Sequence, residues 1–166
     1  LTGTDASGNS RSVNVQVQVL DNIKPTLLTK NATVYLDATG QAQVTPSMID
    51  NGSFDNCSLT LQVSDTVLTC SDLGMNTVLL MGTDASGNFR ALGATVTVMD
   101  TLLPSVQFSQ DTIQAYAGAG CAATISWSIT ASDNCAASVS TNHANNSLFP
   151  YGMHTVVATA MDASGN

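Results

Sequence analysis

The hexapeptide TDASGN occurs at residues 4–9 and 83–88, and MDASGN closes the 166-residue chain at 161–166. Asp5, Asp84 and Asp162 therefore stand 79 and 78 residues apart. Other landmarks keep that step. Asp21 and Pro25 of DNIKP return as Asp100 and Pro104 of DTLLP, and DNC at 55–57 returns at 133–135. Gly74 and Thr77 of LGMNTV return as Gly152 and Thr155 of YGMHTV. Self-similarity at one fixed step marks a module repeated in tandem. A catalytic constellation needs one copy, whereas a structural unit needs one per repeat. The register divides the chain into the C-terminal strands of a preceding repeat (1–20), a complete repeat (21–99) and a third repeat (100–166) lacking its last strand. It reads as a window on a longer array, and its first residues have neither the basic nor the apolar region of a signal peptide.

Each repeat reads as β. SVNVQVQVL at 12–20 alternates strictly, with Val13, Val15, Val17 and Val19 on one face. ATISWSIT at 123–130 puts Ile125, Trp127 and Ile129 inward, with Trp127 as the large core residue of its domain. LTLQVS aligns Leu59, Leu61 and Val63, and GATVTVM aligns Val96 and Val98. Short strands punctuated by Gly, Asn and Asp predict antiparallel sandwiches. All twelve acidic residues are Asp, and the absence of Glu, a good helix former, predicts almost no helix.

The same composition excludes some partners. Only Arg11, Lys24, Lys30 and Arg90 are basic and the net charge is −8, so the footprint that nucleic acid requires is absent. No apolar run reaches the roughly 18–20 residues of a membrane span. Cys57, Cys70, Cys121 and Cys135 form neither CxxC nor a Cys/His cluster, which predicts disulfides of an oxidising compartment over zinc.

AGAGCAATISWSITASDNC followed by NSLFPYGMHTVVATAMDASGN resembles the hyalin repeat, an immunoglobulin-like module of extracellular adhesion proteins. Residues 21–99, through VYLDATGQAQVTPSMIDNGSFDNCSL and LTCSDLGMNTV, are similar to repeats of giant secreted surface proteins of gliding, Bacteroidetes-type bacteria. The resemblance implies tandem immunoglobulin-like Greek-key β-sandwich domains at the cell surface and no catalysis. It also implies O-glycans at the D-(S/T)-apolar sites Thr66, Thr101 and Thr112. Asn31, Asn51, Asn56 and Asn145 fit N-x-S/T, and Asn31 and Asn145 lie outside the acidic loops described next.

In such a sandwich the B–C loop (PSMIDNGSFDNC) and the F–G loop (DASGN) return to the end where the preceding domain joins. That gathers Asp21, Asn22, Asp50, Asp55 and Asp84 at one junction and Asp100, Asp133 and Asp162 at the next. Grouped carboxylates repel unless a cation neutralises them, and calcium accepts six to eight oxygens in flexible geometry. The alternative is that these residues only make Asx and hairpin turns. Strand direction pairs Cys57 with Cys70. It leaves Cys121 and Cys135 as partners by elimination, or one of them for a cysteine beyond residue 166.

His143 and His154 are the only imidazoles, and His154 replaces Asn76 of the preceding repeat. No G-x-S-x-G elbow is present, and the carboxylates recur with the module as scaffolding does. The reading is therefore not an enzyme. It is a structural repeat of a long extracellular adhesin or surface filament, calcium-stiffened and glycosylated, whose partners are the neighbouring repeats. The alternatives are a module binding surface glycans or proteins, or a fibre subunit in which residues 10–20 of one copy complete the last repeat of another.

Overall fold

In a computed structural model describing residues 1–166, the first DASGN loop turns strand β1 (Thr2–Thr4) antiparallel onto β2 (Ser10–Ser12). Strand pairing stops there, although the alternating valines continue to Val19. Val15, Val17 and Val19 are 84, 80 and 91 % exposed. The strand expected over 12–20 is absent because nothing in the chain lies against its apolar face. β-propensity without a packed surface does not hold a strand.

The middle segment supplies such a surface. Its elements are β3 (Ala32–Tyr35), β4 (Gln41–Gln43), a single helical turn α1 (Pro46–Ile49), β5 (Thr60–Val63) and β6 (Val67–Thr69). A 3-10 turn (Cys70–Asp72) then leads to β7 (Gly74–Thr83) and β8 (Phe89–Met99). One sheet has the order β3-β8-β7-β5, with β3 parallel to β8 and the other neighbours antiparallel. The pair β4-β6 forms the second. Period-two alternation turns Ala94, Val96 and Val98 of β8 inward, where they join Val78 and Leu80 of β7, Val34 of β3, and Ala42 and Leu68 of the other sheet in one core. The segment is thus an all-β body with two sheets sharing a core. The helical turn was not expected; Pro46 fits its first position, and it drives Ile49 fully into that core. Gly82 is a point of close packing within the core, since an added Cβ would stand 2.7 Å from Leu27 Cδ2 and 3.1 Å from Leu59 Cδ1. Gly82→Ala should therefore cost about 1–2 kcal/mol, measurable as a lower urea midpoint.

The path from β5 to β6 corrects one expectation. β5 runs away from the 84–88 hairpin alongside β7 (Thr60↔Thr83, Val63↔Leu80). The chain then changes sheets and continues in the same direction, because β6 is antiparallel to β4, which starts at the far turn (Gln41↔Thr69). Cys57 and Cys70 consequently lie at opposite ends of the body and do not pair. The observed disulfide is Cys70–Cys135, Cα–Cα 5.5 Å, joining the middle segment to the one that follows. Cys57 and Cys121 are both free and exposed, so neither expected bridge forms.

The C-terminal segment contains β9 (Ser105–Phe108), β10 (Ala122–Ile125), β11 (Ile129–Ser132), β12 (Ala137–Thr141), β13 (Ser147–Pro150) and β14 (Ala158–Asp162). They pair antiparallel as β9-β11, β10-β13 and β12-β14. ATISWSIT is split between β10 and β11, in two different sheets, so its half-buried Ile125 and Trp127 do not lie on one strand with Ile129. Residues 113–116 and 152–157, the counterparts of β3 and of the first half of β7, lie outside any strand. What remains is an open groove of about 1030 Å³ lined by Phe108, Ile113, Ile125, Trp127, Phe149 and Val156, among others.

Candidate metal centre

The DASGN loops share one geometry. In the middle copy Asp84 Oδ1 accepts the amides of Ser86 (2.9 Å) and Asn88 (2.8 Å), and Oδ2 accepts the Asn88 side-chain amide (2.7 Å). Asp162 does the same with Ser164 and Asn166, and Asp5 with Ser7 and Asn9. Gly87 and Gly165 take φ of +86° and +89°, a left-handed conformation suited to glycine. In the two later copies the Asn side chain also donates to the backbone of the linker, Asn88 to Asp21 O (3.2 Å) and Asn166 to Asp100 O (3.1 Å). The sequence therefore repeats because each loop is a self-braced hairpin that also latches the linker. Asn88→Ala should cost about 1.5 kcal/mol by leaving Asp84 short of a donor, while Asn9→Ala, at the exposed copy, should change the unfolding midpoint by less than about 0.5 kcal/mol.

The latch carries carboxylates together. Asp21, Asp55 and Asp84 place oxygens within 4.8 Å of one another, and Asp100, Asp133 and Asp162 do the same at the next junction. One Asp of each set comes from the linker, one from the DNC turn and one from the hairpin. Asx turns fix the first two: Asp21 Oδ1 accepts from Ile23 N (3.0 Å) and Asp55 Oδ2 from Cys57 N (3.0 Å). Asp100 accepts from Leu102 N (3.2 Å) and Asp133 from Cys135 N (3.1 Å). Both sets retain buried oxygens without a hydrogen-bond partner: Asp21 Oδ2 and Asp55 Oδ1 in the first, Asp100 Oδ2 and Asn134 Oδ1 in the second. A buried, unpaired carboxylate oxygen is costly unless something positive meets it.

Asp21 is held below the usual carboxylate range first by the Ile23 amide, with the Cys57 thiol and the Asn56 amide nearby but not within hydrogen-bond geometry. Burial pushes Asp162 up, but the Asn166 side chain and the backbone amides of Asn166 and Ser164 outweigh it and its pKa falls. The Cys57 thiol is raised, first by the Asp21 carboxylate beside it, then by burial and the negative charge of Asp55 and Asp84. Asp50 and Asn22 are outside the first set. Asp50 is bridged to Thr29 and accepts from Ser53 N (2.9 Å), and the Ser53 hydroxyl leads the causes lowering its pKa. Asp50 directly follows the helical turn α1, and Asn22 is exposed.

Sequence reasoning missed the asparagines. Asn134 donates across the junction to Asp37 O (3.2 Å) and to Asp100 Oδ1 (3.1 Å), tying linker and both bodies together. The signal was available, because Asn56 and Asn134, like Asn88 and Asn166, keep the 78-residue step. The imidazoles lie elsewhere, both His143 and His154 packing on Phe149 at 5.0 and 5.3 Å. Thr66, Thr101 and Thr112 are exposed. Of the sequon residues, Asn31 receives the Thr95 amide (3.2 Å) and Asn145 exchanges bonds with the backbone of Trp127. No helix is long and apolar enough to cross a membrane.

The family model described as HYR domain matches residues 99–166. No curated protein matches the chain. HYR domains are a non-enzymatic repeat family of extracellular, adhesion-type proteins.

Proposed function

We propose that this chain, whose residues 99–166 are a HYR domain, is part of the shaft of an extracellular adhesin or surface filament, with calcium bound at each junction between repeats. The observation carrying this reading is the pair of matched acidic sets, with two buried carboxylate oxygens lacking a donor in the first and one, Asp100 Oδ2, in the second. An all-oxygen set of three carboxylates suits a hard cation, and a flexible one suits calcium over magnesium. Asn134 Oδ1 adds a neutral oxygen at the second junction. Bound there, the ion draws the linker Asp against the DNC turn and the hairpin of the repeat that follows, so that the two bodies lose their freedom to bend. Calorimetric titration should find two ions per chain, with Asp21→Asn and Asp100→Asn each removing one. Scattering curves should show a straighter particle in calcium than in EDTA, and superimposable curves sink the reading. Exposed Thr66, Thr101 and Thr112 are the sites at which a glycan coat would sit, testable by peptide mass mapping of the chain from its own host.

A second reading has its own observation. Aligned on the repeat, Val15, Val17 and Val19 correspond to Ala94, Val96 and Val98, which are buried in the middle segment. Residues 10–20 of one copy therefore match the strand missing beside the 1030 Å³ groove of another, as donor-strand fibres require. Concentration-dependent oligomers abolished by Val17→Asp would favour it; a monomer at all concentrations removes it.

A further inference from the structure

We propose that Cys57 and Cys121 are the two halves of one inter-repeat disulfide, the same bridge that Cys70 and Cys135 close at the junction between them; this rests on the tandem-array reading above. Cys57 and Cys135 are the same position, the last residue of DNC, 78 residues apart and each next to the linker of its own repeat. Cys135 reaches back to the preceding body. Cys57 faces the place where a preceding body belongs, and it is free and exposed.

Cys121 has no counterpart at that position. It matches Gly40 instead. Gly40 N donates to Asp37 O and Asp37 N to Gln41 O; in the same pattern Cys121 N donates to Gly118 O and Gly118 N to Ala122 O. Gly40 has φ +73° and Cys121 has φ +53°. The strands that follow also agree. Gln41 is registered with Thr69, which leaves Gly40 opposite Cys70, and Ala122 is registered with Pro150, which leaves Cys121 opposite Tyr151. Opposite residues of an antiparallel pair project to the same face. Gly40 makes this concrete, since a Cβ there would lie 2.8 Å from Cys70 Sγ. The thiol of Cys121 therefore stands at the far end of its segment where the Cys70 thiol stands on its own, with the cysteine moved to the neighbouring strand of the same pair. The same Cβ would meet Asn134 O at 2.7 Å, so a repeat docked on Cys121 sits a few tenths of an ångström farther out.

Closing the bridge joins the two sulfurs and releases two protons and two electrons. A donor disulfide accepts them by thiol–disulfide exchange and is itself reduced to two thiols.

The test is a tandem of two chains in register, with Asn166 of the first followed by Ser10 of the second, because residues 162–166 and 5–9 are the same loop. After refolding in a glutathione redox buffer, peptide mapping should find Cys121 of the first copy linked to Cys57 of the second. The tandem should keep two free thiols where unlinked copies keep four. Closed Cys70–Cys135 bridges with four free thiols overturn the proposal and leave the array reading standing. Open Cys70–Cys135 bridges overturn both. A single-chain variant, Gly40→Cys with Cys70→Ser, checks the positional equivalence independently. A disulfide between the introduced thiol and Cys135 supports it, and finding both of those thiols unpaired counts against it.

Discussion

Adding calcium to the metal-free protein should raise its melting temperature by about 10 °C or more. Binding to the folded state alone stabilises by RT ln(1 + [L]/Kd), about 2.7 kcal/mol per site at a calcium concentration one hundred times Kd. Two sites together give about 5 kcal/mol, and a chain of this length gains roughly 2–4 °C per kcal/mol. The expected pattern is specific: Asp100→Asn removes about half of the gain, as does Asp21→Asn, and magnesium at the same concentration gives little. Replacement of Asp50, which is not among the three grouped carboxylates, should leave the gain intact. A melting curve that ignores calcium and EDTA alike is the outcome that defeats the calcium centre.

Cys70→Ser with Cys135→Ser should cost about 4 kcal/mol, the loop-closure value for a crosslink spanning 65 residues, and lower the melting temperature by about 10 °C. The loss should fall unevenly. The middle segment has a buried core of its own, whereas Phe149 is the one buried apolar residue of the C-terminal segment. Without the bridge, two transitions should separate, the earlier from the C-terminal segment. Amide exchange should locate it there, with β9 to β14 losing protection before β7 and β8. A single transition moved by less than about 2 °C would show that the crosslink joins bodies already held by other contacts.

How much of this the sequence disclosed can be followed residue by residue. The convergence of Asp21 with Asp55 and Asp84 was legible because the B–C and F–G loops of such a sandwich return to the linker, and the 78–79-residue step carries the same arrangement to Asp100, Asp133 and Asp162. Asp50 was misplaced because one turn of helix hides inside an ordinary loop, and four residues carry too little periodicity to reveal it. The all-β class followed from alternation and from Asp without Glu. The cysteine partners did not, since alternation fixes which face a side chain takes and says nothing of the direction in which the next strand runs. β5 and β6 run the same way, and that single fact sends Cys70 to the far end. The valines at 13–19 show the reverse case: they alternate as a strand would, but a strand forms only where another surface receives it.

If the repeats form a shaft as proposed, the stapled junction would also decide how it carries load. Pulled from its two ends, a chain joined only through its linkers can be drawn out strand by strand, each residue yielding about 3.4 Å of contour. The Cys70–Cys135 bond removes everything between those cysteines from the loaded path, including the two longest strands and the linker itself. Where the bridge recurs at each junction, tension crosses the middle repeat through residues 57 to 70 alone, roughly 45 Å of chain when fully drawn out. Such a shaft behaves as a tether of nearly fixed length, which transmits a tug at its tip without unspooling.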